Sequence, residues 1–332
     1  MAEAEAVGAG AGAGAGAGVG TGTGEAVKAV KAVEASPAPE LTAPGTVPGA
    51  ASGVGPLGGS ARVRQVREGL RGYGLIVAMW IRSTMTYRAS FALSAFGNAA
   101  ITLLDFVTIF IMFSHVDVLG GFTLPETALL YGSCSASLGL ADLLMGNTDR
   151  IGARIRDGSL DTMLVRPVPV LAQVAADRFA LRRLGRVVQG LGVLGWALWS
   201  LDVDWTAGRA LMVPVMVVAG AAIFAAVMVT GAAFQFIAGD AAEVQNSFTY
   251  GGCTMLQYPP TIFAKDLLRG VTFIVPLAFV NWLPALYVLG RPDPLGLPGW
   301  VAYLSPLVAF VVFLPASLAW RAGVRSYRST GS

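Results

Sequence analysis

Two carboxylates, Asp105 and Asp142, lie inside stretches that are otherwise apolar, and Asn281 sits between Pro276 and Pro284 in VTFIVPLAFVNWLPALYVLG. Ionisable groups at membrane depth are costly, so where they occur they face a bundle interior or a wet cavity. Asn98, Asp105, Asp142 and Asn281 are therefore the candidate pathway or bundle-interior residues. For Asp105 a pathway role and a helix-packing role both stay open. Asp142 is four residues from the end of its apolar run and so within reach of an interface. Intramembrane proteolysis wants two acids aligned at mid-depth, and this spacing does not supply them.

Other chemistries lack their parts. The lysines are Lys28, Lys31 and Lys265, followed by Ala, Ala and Asp, so no GxxxxGK[ST] phosphate loop exists. With one histidine, His115, and two distant cysteines, Cys134 and Cys253, no His/Cys metal site is expected. A Ser-His-Asp triad would need His115, which stands at a span end with no nucleophile elbow beside it. The chain reads as a non-enzyme that binds no cofactor of its own.

Of the 332 residues 55% are hydrophobic and 13% charged, about half the charge of a soluble domain. This excludes an ordinary water-soluble protein and leaves an all-α membrane protein. Apolar runs predict six transmembrane helices at about residues 89–116, 127–146, 184–201, 210–239, 270–290 and 299–320. Residues 1–60, an Ala-Gly then Pro/Ser/Thr-rich stretch without apolar periodicity, read as a disordered tail, and 61–332 as the membrane domain. Arginines cluster before the first run (Arg62, Arg64, Arg67, Arg71, Arg82, Arg88), between the second and third (Arg150 to Arg186) and after the sixth (Arg321, Arg325, Arg328). Lys265 and Arg269 precede the fifth, whereas only Arg209 and Arg291 fall on the opposite side. The positive-inside rule then puts both termini in the cytoplasm.

Between the runs, residues 65–88 mix Val66, Leu70, Tyr73, Ile76, Val77 and Trp80 with arginines at helical spacing. They fit an interfacial helix or a plain basic flank equally well. The segment NTDRIGARIRDGSLDTMLVRPVPVLAQVAADRFALRR is neither span nor tail. A short helix, an Arg166-Pro167-Val168-Pro169 turn and an amphipathic helix over 170–183 make either a projection built for a partner or a solvated basic loop. Gly251-Gly252 and Tyr258-Pro259-Pro260 predict a broken or re-entrant stretch before the fifth run, making Pro259, Pro276 and Pro284 the hinge candidates.

RDGSLDTMLVRPVPVLAQ at 156–173, YPPTIF at 258–263 and VPLAFVNWLPALYVLG at 275–290 together resemble the permease subunits of bacterial ABC exporters with a type-2 membrane domain, in the branch found beside viologen- and antibiotic-resistance-type ATPases. The resemblance covers about 71–325. It implies a six-span plasma-membrane exporter subunit with an N-terminal elbow helix and a cytoplasmic coupling helix within 151–169. Arg156, Gly158, Asp161, Arg166 and Pro167 match the family pattern and would dock a separate ABC ATPase subunit, which would bind the ATP and Mg2+. The implied partners are that ATPase, a second identical or related permease and membrane lipid, with no nucleic acid; the implied cargo is a hydrophobic or amphipathic compound. A proton-driven secondary carrier using Asp105 is the alternative. Inverted sequence repeats would favour that alternative, and none is visible.

Overall fold

The structure, a computed structural model, describes residues 59–86, 88–177, 180–239 and 241–328. Of the expected tail only Gly59 and Ser60 fall within them. The described residues are helical, with one isolated bridge between Leu119 and Phe122. The helices are α1 (Gly59–Thr86), α2 (Arg88–Phe113), α3 (Leu124–Met145), α4 (Ile151–Arg156), α5 (Leu160–Leu164), α6 (Val170–Ala176), α7 (Leu184–Ser200), α8 (Ala207–Ala238), α9 (Ala242–Asn246), α10 (Gly252–Leu256), α11 (Lys265–Arg269), α12 (Trp282–Leu289) and α13 (Ser305–Ser326). Three runs among the described residues, Leu124–Arg156, Ala207–Ala238 and Gly299–Ser326, are long and apolar enough to cross a membrane. A shorter apolar stretch covers Leu103–Phe113.

α3 is the central element, and its residues from Thr127 to Gly139 are all buried. It starts where the Glu126 carboxylate accepts from the Thr123 amide at 2.8 Å, occupying a donor that the helix start leaves free. The same carboxylate takes two bonds from Arg291, at 2.8 and 2.9 Å, tying this end of α3 to the loop after α12. Small residues decide how closely α7 approaches. A Cβ on Gly132 would lie 2.5 Å from the Leu194 nitrogen, and one on Gly190 would lie 2.5 Å from the Ala136 nitrogen. Such close backbone approach is how helices associate where lipid removes the hydrophobic driving force. On the other flank Ser137 donates to the Val217 carbonyl of α8 at 3.2 Å, beside Gly220.

Between α8 and α13 the chain is broken repeatedly. α9 runs into a π turn at Ser247–Gly251, then α10, then a 3-10 turn at Pro260–Ile262. The fifth run, expected as one span over 270–290, is likewise interrupted. A π turn at Gly270–Ile274 gives way to extended backbone at Val275, a 3-10 turn at Leu277–Phe279 and finally α12. Pro276 is the reason for that break, since it removes a donor and pushes its predecessor out of the helical region. Pro284 falls in the first turn of α12, where its missing N–H has no carbonyl to meet.

Breaks of this kind free backbone carbonyls, and buried side chains take them up. Asn281, fully buried, donates to the carbonyls of Leu130 in α3 and Leu256 in α10, both at 3.0 Å. The Trp282 indole donates to Leu256 at 3.1 Å and Tyr258 at 3.0 Å. These bonds hold the broken segment against α3.

Candidate functional site

Two arrangements carry polar groups of interest. The first is a cavity of about 200 Å³ enclosed by α2, α3, α7 and the broken segment around α10. Its walls are polar for a bundle this apolar. α3 contributes Tyr131 and Ser135, α7 contributes Arg186 and Gln189, and the broken segment contributes Tyr250, Thr254 and Gln257. Gln189 donates to the Tyr131 hydroxyl at 3.0 Å, and Gln257 to Ser135 at 3.2 Å. Asp105 and Thr108, both exposed on α2, form one edge. Cys253 also lines the cavity, with its sulfur 2.9 Å from that of buried Cys134.

Directly below, at the Met145 end of α3, lies a buried ion pair. Asp142 Oδ2 stands 3.3 Å from Arg183 Nε, with side-chain exposures of 8% and 15%. The Tyr250 hydroxyl donates to Asp142 Oδ1 at 3.0 Å, and Arg183 also reaches the Asp142 main-chain carbonyl at 3.1 Å. A side chain on Gly146 would collide with both Asp142 and Arg183, so glycine is what leaves room for the guanidinium.

The second arrangement is the projection between α3 and α7. Ile151, Leu160, Met163 and Val174 are buried, packed with Ala226, Val229, Ala232 and Ala233 of α8 and Ala316 and Trp320 of α13. Hydrogen bonds fix its base. Buried Gln235 of α8 accepts from the Gly152 amide at 2.9 Å, and Gln173 donates to the carbonyls of Met163 and Val168 at 2.9 and 2.7 Å. Arg154 pairs with Asp177, where the backbone turns extended. The helix expected over 170–183 accordingly stops at Ala176, and a separate 3-10 turn covers Leu181–Arg183. α1 closes over this base, with Val168 and Pro169 seated against Gly72 and Gly69 and the Tyr73 hydroxyl donating to Leu144 at 3.1 Å. Tyr73, Ile76, Val77 and Trp80 are half-buried on its inner stripe, whereas Leu70 is exposed.

The far side of the projection is open. Leu164, Val165, Arg166 and Pro167 are exposed, Val165 by 84%. Asp157 accepts from the Ser159 hydroxyl at 2.6 Å and amide at 3.0 Å, which holds its carboxyl below the usual range. Gly158 takes φ +69 to make the turn into α5. Asp149 is the opposite case: burial pushes its carboxyl up, although Arg183 and Arg150 pull it down. Burial, and then the neighbouring Asp161, raise the Tyr327 phenol.

The candidate residues are thus distributed over distinct places. Asp105 lines the cavity, and Asp142 lies just beneath it in the ion pair. Asn281 stitches the broken segment, and the side chain of Asn98 lies outside the described ones. Arg156, Gly158, Asp161, Arg166 and Pro167 fall together on the projection, Pro259 and Pro276 at chain breaks, and His115 on an exposed turn. Arg183 and Arg186, counted in the sequence among the cations of one side, lie beside and in the first turn of α7, against α3. The stripe Tyr250, Cys253, Thr254, Gln257, polar at helical spacing, was the overlooked signal for the cavity.

No curated protein and no solved structure matches the chain. The family described as ABC-2 family transporter protein matches residues 99–331, which include the cavity, the ion pair and the projection. With that match over most of its length, the chain belongs to the ABC-2 transporter family, as a membrane permease component.

Proposed function

We propose that the chain is the permease subunit of an ABC exporter that moves a hydrophobic or amphipathic compound outward across the bacterial plasma membrane. In this reading six segments span the bilayer, α2, α3, α7, α8, the broken segment ending in α12, and α13, and both termini are cytoplasmic. α1 is the elbow helix. The projection is the coupling element, with Arg156, Gly158, Asp161, Arg166 and Pro167 facing a separate ATPase subunit that binds ATP and Mg2+.

The observation that carries this is the contrast within the projection. Its base is buried against α8 and α13, while Val165 and its neighbours stand exposed. A rigid base with an exposed apolar tip transmits a push, whereas a solvated loop would absorb it. ATP-driven closure of the partner would move this lever, and through Gly152–Gln235 and the Asp142–Arg183 pair it reaches α8, α3 and α7. The apolar outer faces of α2 and α13, where Phe96, Leu104, Phe310 and Leu318 are exposed, support contact with lipid and with a second permease, identical or related.

The test is affinity purification of the tagged chain from its host in mild detergent, with an ATPase assay on the eluate. A stoichiometric ATPase is expected. Val165→Asp with Arg166→Ala is expected to lose it, as is Asp161→Ala with Arg166→Ala, while membrane insertion stays normal. Retention of the ATPase by both variants overturns the coupling assignment. Asp105 at the cavity edge favours the proton-driven carrier as the second reading. Transport that survives ATP depletion and collapses with the proton gradient would decide for it.

A further inference from the structure

Arg186 is a cation inside the helix bundle with no carboxylate paired to it among the described residues. Its Nη1 is buried and has no hydrogen-bond partner. Its guanidinium lies 5.1 Å from the centre of the Tyr250 ring, a contact that offsets only part of the desolvation of a full charge. The nearest buried acid is already engaged, since Asp142 is held by Arg183 and by the Tyr250 hydroxyl. Asp105 lines the same cavity from its edge on α2, exposed rather than buried.

From this geometry we infer that the cavity binds the anionic head, a carboxylate or a phosphate, of an amphipathic compound, with Arg186 as its charge partner. The guanidinium offers planar, paired donors suited to either group. The wall beside it is polar, carrying Ser135, Thr254, Gln257 and Tyr131, whose own hydrogen bonds a ligand head would extend or exchange. At about 200 Å³ the space is smaller than a site that encloses a whole drug-sized ligand, so it takes a head and leaves a tail outside. The open edge at Asp105 and Thr108 leads onto exposed Leu104 and Ile111 of α2, an apolar surface for that tail. The inference rests on the transport reading only in naming the bound compound as cargo.

Binding is measured on the full chain alone, purified in dodecyl maltoside, so the result is independent of whether an ATPase co-elutes. The probes are dodecyl phosphate, dodecyltrimethylammonium and inorganic phosphate, followed by thermal unfolding midpoint and by tryptophan fluorescence titration. Dodecyl phosphate is expected to raise the midpoint, and Arg186→Gln to weaken its binding about tenfold to a hundredfold, the loss of one charge-assisted contact. Arg186→Lys is expected to keep part of the affinity. Basal midpoints of both variants are compared with wild type, and Arg186→Lys, which keeps the charge, separates loss of binding from loss of fold. Equal dodecyl phosphate binding by wild type and Arg186→Gln, equal binding of the cationic probe, or no binding at all overturns the proposal. Inorganic phosphate binding as tightly, with the same Arg186 dependence, overturns the amphiphile in favour of a free anion.

Discussion

Removing one partner of the Asp142–Arg183 pair is expected to harm the protein more than removing both. The side chains are 8% and 15% exposed and 3.3 Å apart, so little solvent screens them. Arg183→Gln leaves the Asp142 carboxylate buried with the Tyr250 hydroxyl, 3.0 Å away, as its remaining donor. One-sided loss of a buried pair costs about 3–5 kcal/mol. Asp142→Asn leaves the guanidinium with the Asp142 main-chain carbonyl at 3.1 Å, while the new amide oxygen still accepts from Tyr250, which puts its cost toward the lower end of that range. In the double variant no buried charge is left over, and Asn and Gln can bond to each other. The double variant is then expected to cost less than the sum of the two single losses by about 2 kcal/mol or more. The assay is reversible unfolding in mixed micelles of dodecyl maltoside and dodecyl sulfate, read by tryptophan fluorescence on the four proteins of the cycle. Additivity to within about 0.5 kcal/mol would mean that the two side chains do not act as a pair, and the reasoning would fall.

Further expectations concern neighbouring features. Cys134 and Cys253, whose sulfurs are 2.9 Å apart, are expected to form a disulfide under copper-phenanthroline, each thiol losing a proton and an electron to the oxidant. That bond would pin α10 to α3 and arrest transport, reversibly by dithiothreitol, and Cys253→Ser would be insensitive. Gly190→Leu is expected to destabilise the protein by more than the roughly 1–3 kcal/mol typical of overpacking, because its Cβ meets the backbone of Ala136 at 2.5 Å and backbone has no rotamer to yield; a normal unfolding midpoint would contradict the close packing of α3 and α7. Asp149, whose folded carboxyl is raised above its ordinary 3.8, favours the protonated form in the folded state. Stability from this group is therefore present below 3.8 and lost as pH rises through the folded value. Midpoints across pH 3.5–7 are expected to show Asp149→Asn gaining on wild type as pH rises, and parallel profiles would refute this.

Much of the helical layout was legible as apolar runs. The runs at 127–146, 184–201 and 210–239 correspond within a few residues to α3, α7 and α8, and of these α3 and α8 belong to runs long and apolar enough to cross a membrane, where a helix must satisfy its own backbone. The run at 270–290 misled as to continuity. Pro276 and Asn281 were visible, but not that Asn281 would reach Leu130 and Leu256, residues distant in sequence. The orientation rule assigned Arg183 and Arg186 to one side but not to partners, and it is Gly139 of α3 and Gly146 just past its end that leave room for them beside and in the first turn of α7. The amphipathic helix ran on to 183 in the sequence, whereas the helix ends at Ala176 and the backbone turns extended at Asp177, which pairs with Arg154.

The sequence by itself determined the solvent this chain lives in, the absence of a phosphate loop and the position of a polar, proline-marked segment between apolar runs. Those are properties of composition and spacing, local enough to be read from one chain. Only the tertiary structure decided which charges are neutralised. Asp142 and Arg183 find each other across 41 residues and Tyr250 joins them from a further element, leaving the buried Nη1 of Arg186 without an acceptor. Pairing in a low-dielectric interior depends on distances of a few ångströms, which helix packing sets and sequence separation does not.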